Sequence, residues 1–245
     1  MKILALGNSD TRGAFASGPT WTTVASDLVR ASRDEPVTFE EARFSAERLG
    51  SAEFAERRTR EGSADLVIVP VGTFAFSVGF SWVRIQRLLG KRVAARYRKA
   101  EEDFDRRTRE PGTSPGRRSS LARRIVRTVI GTQPFTDPRH LTDSYCEILR
   151  ALARVESADV LVVFYPPEQG RYVSVRNYDE KRRRLIATVS AEALNHRFRV
   201  LNCEPLFDDY QGIESLVTED GFHLERAGHA LLGRAVAEPI LRPQG

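Results

Sequence analysis

The feature that most constrains this chain is an alternation of short apolar runs with amphipathic stretches. Runs rich in Val, Ile and Leu fall at Lys2 to Leu6, Val37 to Phe39, Leu66 to Val71, Val160 to Phe164 and Arg199 to Asn202. Three of them are continuously apolar, as strands covered on both faces should be. Between them, Trp21, Val24, Ala25, Leu28 and Val29 recur at helical spacing, as do Tyr145, Ile148, Leu149, Leu152 and Val155. Thr20 and Thr142 are the expected N-caps of these two helices. Further helices are expected over about 179–196 and 225–237. Strands alternating with helices specify an α/β fold, a three-layer, doubly wound parallel sheet of about five strands. The 245 residues suit one domain with a substantial insertion.

The insertion is expected over about 80–137, which contains no strand candidate and shifts to Arg-rich helical sequence broken by EPGTSPGRRSS. A structureless loop of that length is unusual in a compact domain. Between Trp82 and Arg127 stand 15 Lys/Arg against 5 Asp/Glu, an excess of +10 in a chain whose net charge is +5. The remainder of the chain is therefore acidic by 5 charges. Trp82, Val83, Ile85, Leu88, Leu89 and Val93 form an apolar stripe within this basic sequence. The readings for it are a solvated helix face, a lid over a site, a membrane-surface helix and a docking patch for an acidic partner. No nucleic-acid reading motif accompanies the charge.

A hydrophobic share of 41% with 29% charged residues is that of a water-soluble protein, with no stretch of membrane-spanning length. The N-terminus MKILALGNSD runs directly into a strand and a polar turn, without a signal-peptide pattern, which gives the expectation of a cytoplasmic location. Cys146 and Cys203 are far apart in apolar contexts and read as core thiols rather than as a disulfide or metal pair.

In an open parallel sheet the ligand site lies beyond the carboxyl ends of the strands. The turn after the first strand reads LGNSDTRG, where Gly7 permits a tight turn and Ser9 stands near a helix N-terminus able to stabilise developing negative charge. Near the other end, EDGFHLERAGH places Asp220 three residues before His223, a spacing that lets the carboxylate orient the imidazole. His229, in the following helix, reads as a helix-face residue.

A Ser in a Gly-x-Ser turn after the first strand, with Asp-x-x-His before the last helix, resembles the SGNH or GDSL-like hydrolases. The resemblance covers both ends of the chain well and the middle poorly. It implies Ser9 as nucleophile, His223 as general base and Asp220 as its orienting partner. It also implies an oxyanion site drawn from the Ser9 amide and from two further blocks. The second block best matches EARFSAERLG, with Ala46 where the family has Gly. In the third, Gly72 and Thr73 stand in place, but Phe74 occupies the position of the family's Asn donor. Ser77 and Thr73 are substitute donors within reach in sequence.

The function expected on these grounds is serine-dependent hydrolysis of an acyl ester, with acyl transfer available to the same residues and no metal or organic cofactor. An anionic acyl ester or thioester, or an acidic carrier protein, would suit the charge of the insertion. A flavodoxin-like module that cradles phosphate or flavin in the first turn is the rival from another class. A degenerate SGNH fold that only binds is the third reading.

Overall fold

In the computed structural model, the described residues are 1–7, 11, 18–72, 78–80, 86–87, 90–93, 95–96, 99, 132–134, 136–166, 177–208, 216–217 and 223–242. The chain order is β1 (Lys2–Gly7), α1 (Trp21–Ala31), β2 (Thr38–Arg43), α2 (Ser51–Gly62), β3 (Leu66–Val71), β4 (Val78–Phe80), β5 (Thr132–Pro134), α3 (Pro138–Leu152), β6 (Asp159–Phe164), α4 (Tyr178–Asn195), β7 (Arg199–Asn202), α5 (Glu204–Asp208) and α6 (Arg226–Leu241). Five strands form one parallel sheet in the order β2-β1-β3-β6-β7.

Period-two alternation divides the sheet's side chains between two cores. Leu4, Leu6, Val67, Val69, Val160 and Val162 face α2, α3 and α4. Ile3, Ala5, Leu66, Ile68, Leu161 and Val163 face α1 and α6. The sheet is thus covered on both sides, which is why its central strands read as uninterrupted apolar runs.

The first two connections leave β1 and β3 on opposite sides of a topological switch. Their pairing runs from Ile3 and Leu66 to Ala5 and Ile68 and ends there, while β3 continues beside β6 as far as Val71. The strand order reverses between β1 and β3, the switch point beyond whose carboxyl ends doubly wound sheets bind ligands.

Several expectations change in detail. Thr20 does cap α1, accepting the Thr23 amide at 3.1 Å. The cap of α3 is Asp137 rather than Thr142, because Pro138 at the first helical position fixes the start earlier. Thr142 instead lies within the helix and donates to the Pro138 carbonyl at 2.8 Å. Leu28 faces outward from the predicted α1 stripe, whereas Trp21, Ala25 and Val29 are buried. The region 80–137 does contain a strand: β5 pairs antiparallel with β4, Val78 opposite Pro134 and Phe80 opposite Thr132. This pairing brings the two ends of the Arg-rich insertion together, so the insertion leaves and rejoins the domain through one stem. Within it Arg87, Lys91, Arg92, Arg96 and Lys99 are helical and exposed.

Among the described residues no helix is long and apolar enough to cross a membrane. Cys146 and Cys203 are buried thiols, and burial pushes the Cys203 thiol up to about 12.

Candidate active site

Gly7 ends β1, and its carbonyl accepts the Phe44 amide at 2.8 Å, tying the first turn to the one after β2. A Cβ on Gly7 would lie 2.3 Å from the Thr11 side chain, so glycine is required for the fully buried Thr11 to fold back onto the strand end. The Thr11 carbonyl in turn accepts the Thr22 hydroxyl at 3.3 Å from the first turn of α1, and Thr22 also meets the Glu41 carboxylate of β2. These contacts hold both flanks of the turn that carries Ser9. Ser9 itself lies outside the described residues, as do Asp220, Thr73, Phe74 and Ser77.

The segment before α6 is built around backbone closures. Val217 bridges Leu224, and the Glu225 amide donates to the Leu216 carbonyl at 2.9 Å. Gly228 permits this approach, since a Cβ there would lie 2.1 Å from the Leu216 oxygen. The resulting loop carries His223 as a buried residue.

His229 departs from the expectation of a helix-face residue. Its side chain is fully buried, and Nδ1 accepts the Trp21 amide at 3.2 Å. The proton must therefore reside on Nε2 in the neutral ring. Burial, together with the positive charge His223 can carry, lowers the His229 pKa to about 4. Two sequence-distant segments meet here: the His223 loop lies close enough to His229 for their charges to interact, and His229 bonds to the residue preceding Thr22, which reaches Thr11 beside the Ser9 turn. Glycine again allows the approach, because a Cβ on Gly233 would meet Val24 Cβ at 2.6 Å and the Trp21 carbonyl at 2.8 Å.

The turns after β2 and β3 complete the rim. Ala46 is buried, and its carbonyl accepts the Ser51 hydroxyl at 3.0 Å. Gly72 follows β3, and the Tyr145 hydroxyl of α3 donates to the Pro70 carbonyl, two residues earlier, at 3.3 Å. Tyr145, Thr11 and His229 were not read from the sequence as site residues. Each looks like an ordinary core or turn position until the strands place it at the carboxyl edge. Among the described residues no cluster of three His, Cys, Asp or Glu side chains is arranged to hold a metal ion.

This architecture matches solved hydrolases along its whole length. The lipase/acylhydrolase from Enterococcus faecalis superposes with a TM-score of 0.58 at 14% identity, covering 100% of this chain and 98% of that one. A member of the lipolytic G-D-S-L family from Veillonella parvula gives 0.57 at 14% identity, covering 99% of each. An acetylxylan esterase from Geobacillus stearothermophilus gives 0.54 at 12% identity, covering 98% of this chain and 93% of that one.

The fold is that of the SGNH hydrolases.

No protein-family model matches the sequence, and no curated protein matches it significantly. The likeness is therefore one of architecture, carried by chains with little shared sequence. Within the SGNH fold, Gly7, Ala46 and Gly72 stand at or just beyond the carboxyl ends of β1, β2 and β3.

Proposed function

We propose that the protein is a serine-dependent acyl-ester hydrolase in which Ser9 is the nucleophile, His223 the general base and Asp220 its orienting carboxylate. The observation that carries this reading is the Trp21 amide's hydrogen bond to His229, which ties the start of α6, six residues after His223, to the start of α1, where Thr22 bonds to the Thr11 carbonyl. A phosphate- or flavin-binding module has no need of that convergence. The esterases and lipases that share the fold support the same class of chemistry.

In the reaction, the Ser9 oxygen attacks the acyl carbon while its proton passes to His223, giving a tetrahedral oxyanion. Backbone amides at the first two turns, of Ser9 and Ala46, stabilise that charge. Collapse breaks the bond to the alcohol oxygen, which takes the proton from His223 and leaves an acyl-serine. Water, deprotonated by His223, then attacks the same carbon, the bond to the Ser9 oxygen breaks as that oxygen takes the proton back from His223, and the carboxylic acid leaves. The exposed cations of the insertion favour esters that carry negative charge.

The test is intact-mass measurement after exposure to a fluorophosphonate. One adduct localised to Ser9, lost in Ser9→Ala together with turnover of short p-nitrophenyl esters, is the expected result. Ester turnover that persists in Ser9→Ala overturns the mechanism.

A further inference from the structure

The sequence from Leu66 to Ala100 contains seven Lys/Arg and no Asp or Glu. Several arginines elsewhere on the surface are compensated. Arg60 and Arg154 share Glu56 at 3.1 and 2.6 Å, Arg150 meets Glu192 at 2.7 Å, and Arg184 meets Glu180 at 3.1 Å. Arg87, Lys91, Arg92, Arg96 and Lys99 differ from these. They are helical and exposed, and among the described residues none of the five has an acidic partner. Arg92 and Arg96, four apart, and Arg96 and Lys99, three apart, are like-charge neighbours, an arrangement that weakens a helix until an external anion offsets it.

This array is rooted at the carboxyl edge of the sheet. The chain leaves that edge after Val71 and returns to it at Pro138, where α3 begins, through the stem of β4 and β5. The turn after β2 stands at the same edge, and there Leu49 is fully exposed beside the exposed Arg48. Val93 is exposed among the cations. An acidic protein would answer the charge alone. Apolar side chains next to that charge select a surface offering both anionic headgroups and hydrocarbon, which is the interface of an anionic bilayer. Because the remainder of the chain is acidic by 5 charges, the field of such a bilayer attracts the insertion, repels the rest and so orients the molecule.

We infer that the carboxyl edge of the sheet is a membrane-docking face, with Arg87, Lys91, Arg92, Arg96 and Lys99 on anionic lipid headgroups and Leu49 and Val93 entering the interfacial layer. Docked this way, the protein turns Gly7, Ala46 and Gly72 toward the bilayer. The inference goes beyond the ester-hydrolase reading and does not depend on it.

The experiment is co-sedimentation of the full chain with phosphatidylcholine vesicles and with vesicles of equimolar phosphatidylcholine and phosphatidylserine. Wild type should partition onto the anionic vesicles at least about 30-fold more strongly than onto the neutral ones, a preference that falls as salt rises. Each cation near an anionic surface contributes about fivefold, so changing Arg87, Lys91, Arg92 and Arg96 to Gln should remove most of the preference. Leu49→Ser should weaken binding to the anionic vesicles by about three- to tenfold. Leu194→Ser is the matched control, because Leu194 is also exposed but lies at the end of α4, where the chain turns into β7 at the opposite edge of the sheet. It should bind as wild type does, and so should Ser9→Ala.

Equal partition onto neutral and anionic vesicles overturns the inference, as does anionic-vesicle binding that survives in the Gln variant. Losses of equal size in Leu49→Ser and Leu194→Ser also overturn it. A wild-type chain that ignores both vesicles and binds poly-glutamate or poly-uridylate makes an acidic protein or an RNA the occupant, and the bilayer is then excluded. Absence of fluorophosphonate labelling at Ser9 removes the hydrolase reading and leaves the docking face standing.

Discussion

Nδ1 of His229 accepts the backbone N–H of Trp21 at 3.2 Å, so a buried imidazole on the last helix satisfies the first amide of the first helix. That amide would otherwise be one of the orphan donors of a helix N-terminus. The contact requires a neutral ring, and burial enforces it by lowering the pKa from 6.5 to about 4. Between those two values the unfolded chain binds a proton that the folded protein does not. The stabilisation is thus complete above about pH 6.5 and is lost progressively as pH falls towards 4. A shift of that size corresponds to about 3 kcal/mol. Urea midpoints should fall steeply between pH 6.5 and 4 in the wild type and less steeply in His229→Asn, whose side-chain oxygen can still accept from Trp21. Parallel slopes would mean that His229 does not supply the dependence.

Replacing His223 by Ala, or Asp220 by Asn, should lower kcat by about 10⁴-fold while leaving the thermal midpoint near that of wild type. The two losses should not add in the double variant, because the pair works as a unit. Ester turnover measured beside circular dichroism melts checks this, and an active His223→Ala enzyme removes His223 from the mechanism.

Gly228→Ala and Gly233→Ala should separate loop placement from helix packing. A methyl at 228 collides with the Leu216 carbonyl, 2.1 Å away, and must push the His223 loop off α6. A methyl at 233 meets Val24 and the Trp21 carbonyl and must part α1 from α6. Both should cost about 1–3 kcal/mol, as overpacking generally does. Gly228→Ala should also depress kcat. Equal kcat in Gly228→Ala and wild type would show that the His223 loop tolerates displacement.

Arg182 is buried on α4, where it pairs with Glu204 of α5 at 2.7 Å and donates to the Tyr165 carbonyl at 3.2 Å. Removing it takes the ion-pair partner from a partly buried carboxylate and one donor from the Tyr165 carbonyl. Arg182→Met should therefore lose about 2 kcal/mol, below the usual cost of breaking a buried pair because Glu204 is one-third exposed. The additional substitution Glu204→Gln should restore part of the loss. Denaturant melts of both variants measure this, and additive losses would deny the coupling.

Changing the exposed Arg87, Lys91, Arg92 and Arg96 to Gln should reduce kcat/KM for an anionic ester at low salt and leave a neutral ester unaffected. The difference should vanish as added salt shortens the screening length to about 8 Å near physiological strength. An unchanged charge preference would make the insertion a decoration with no part in substrate capture.

The α/β class, the five strands of the main sheet and the turns at Gly7, Ala46 and Gly72 were legible in the sequence because each rests on local physics. A doubly covered strand must be apolar throughout, and a turn before a helix must be small and polar. Helix α2 gave little periodic signal because its buried face uses Ala55 and Thr59 among Arg and Glu. The stem of β4 and β5 gave almost none, since three-residue strands are specified by each other. His229 and Tyr145 show what only tertiary structure could decide. As letters they are a helix-face histidine and a core tyrosine. They become, respectively, the seal on α1 and the donor to the Pro70 carbonyl only when long-range strand pairing sets those backbone groups 3.2 and 3.3 Å from them. Hydrogen bonds between residues so far apart leave no periodicity in the chain, because their partners are chosen by packing.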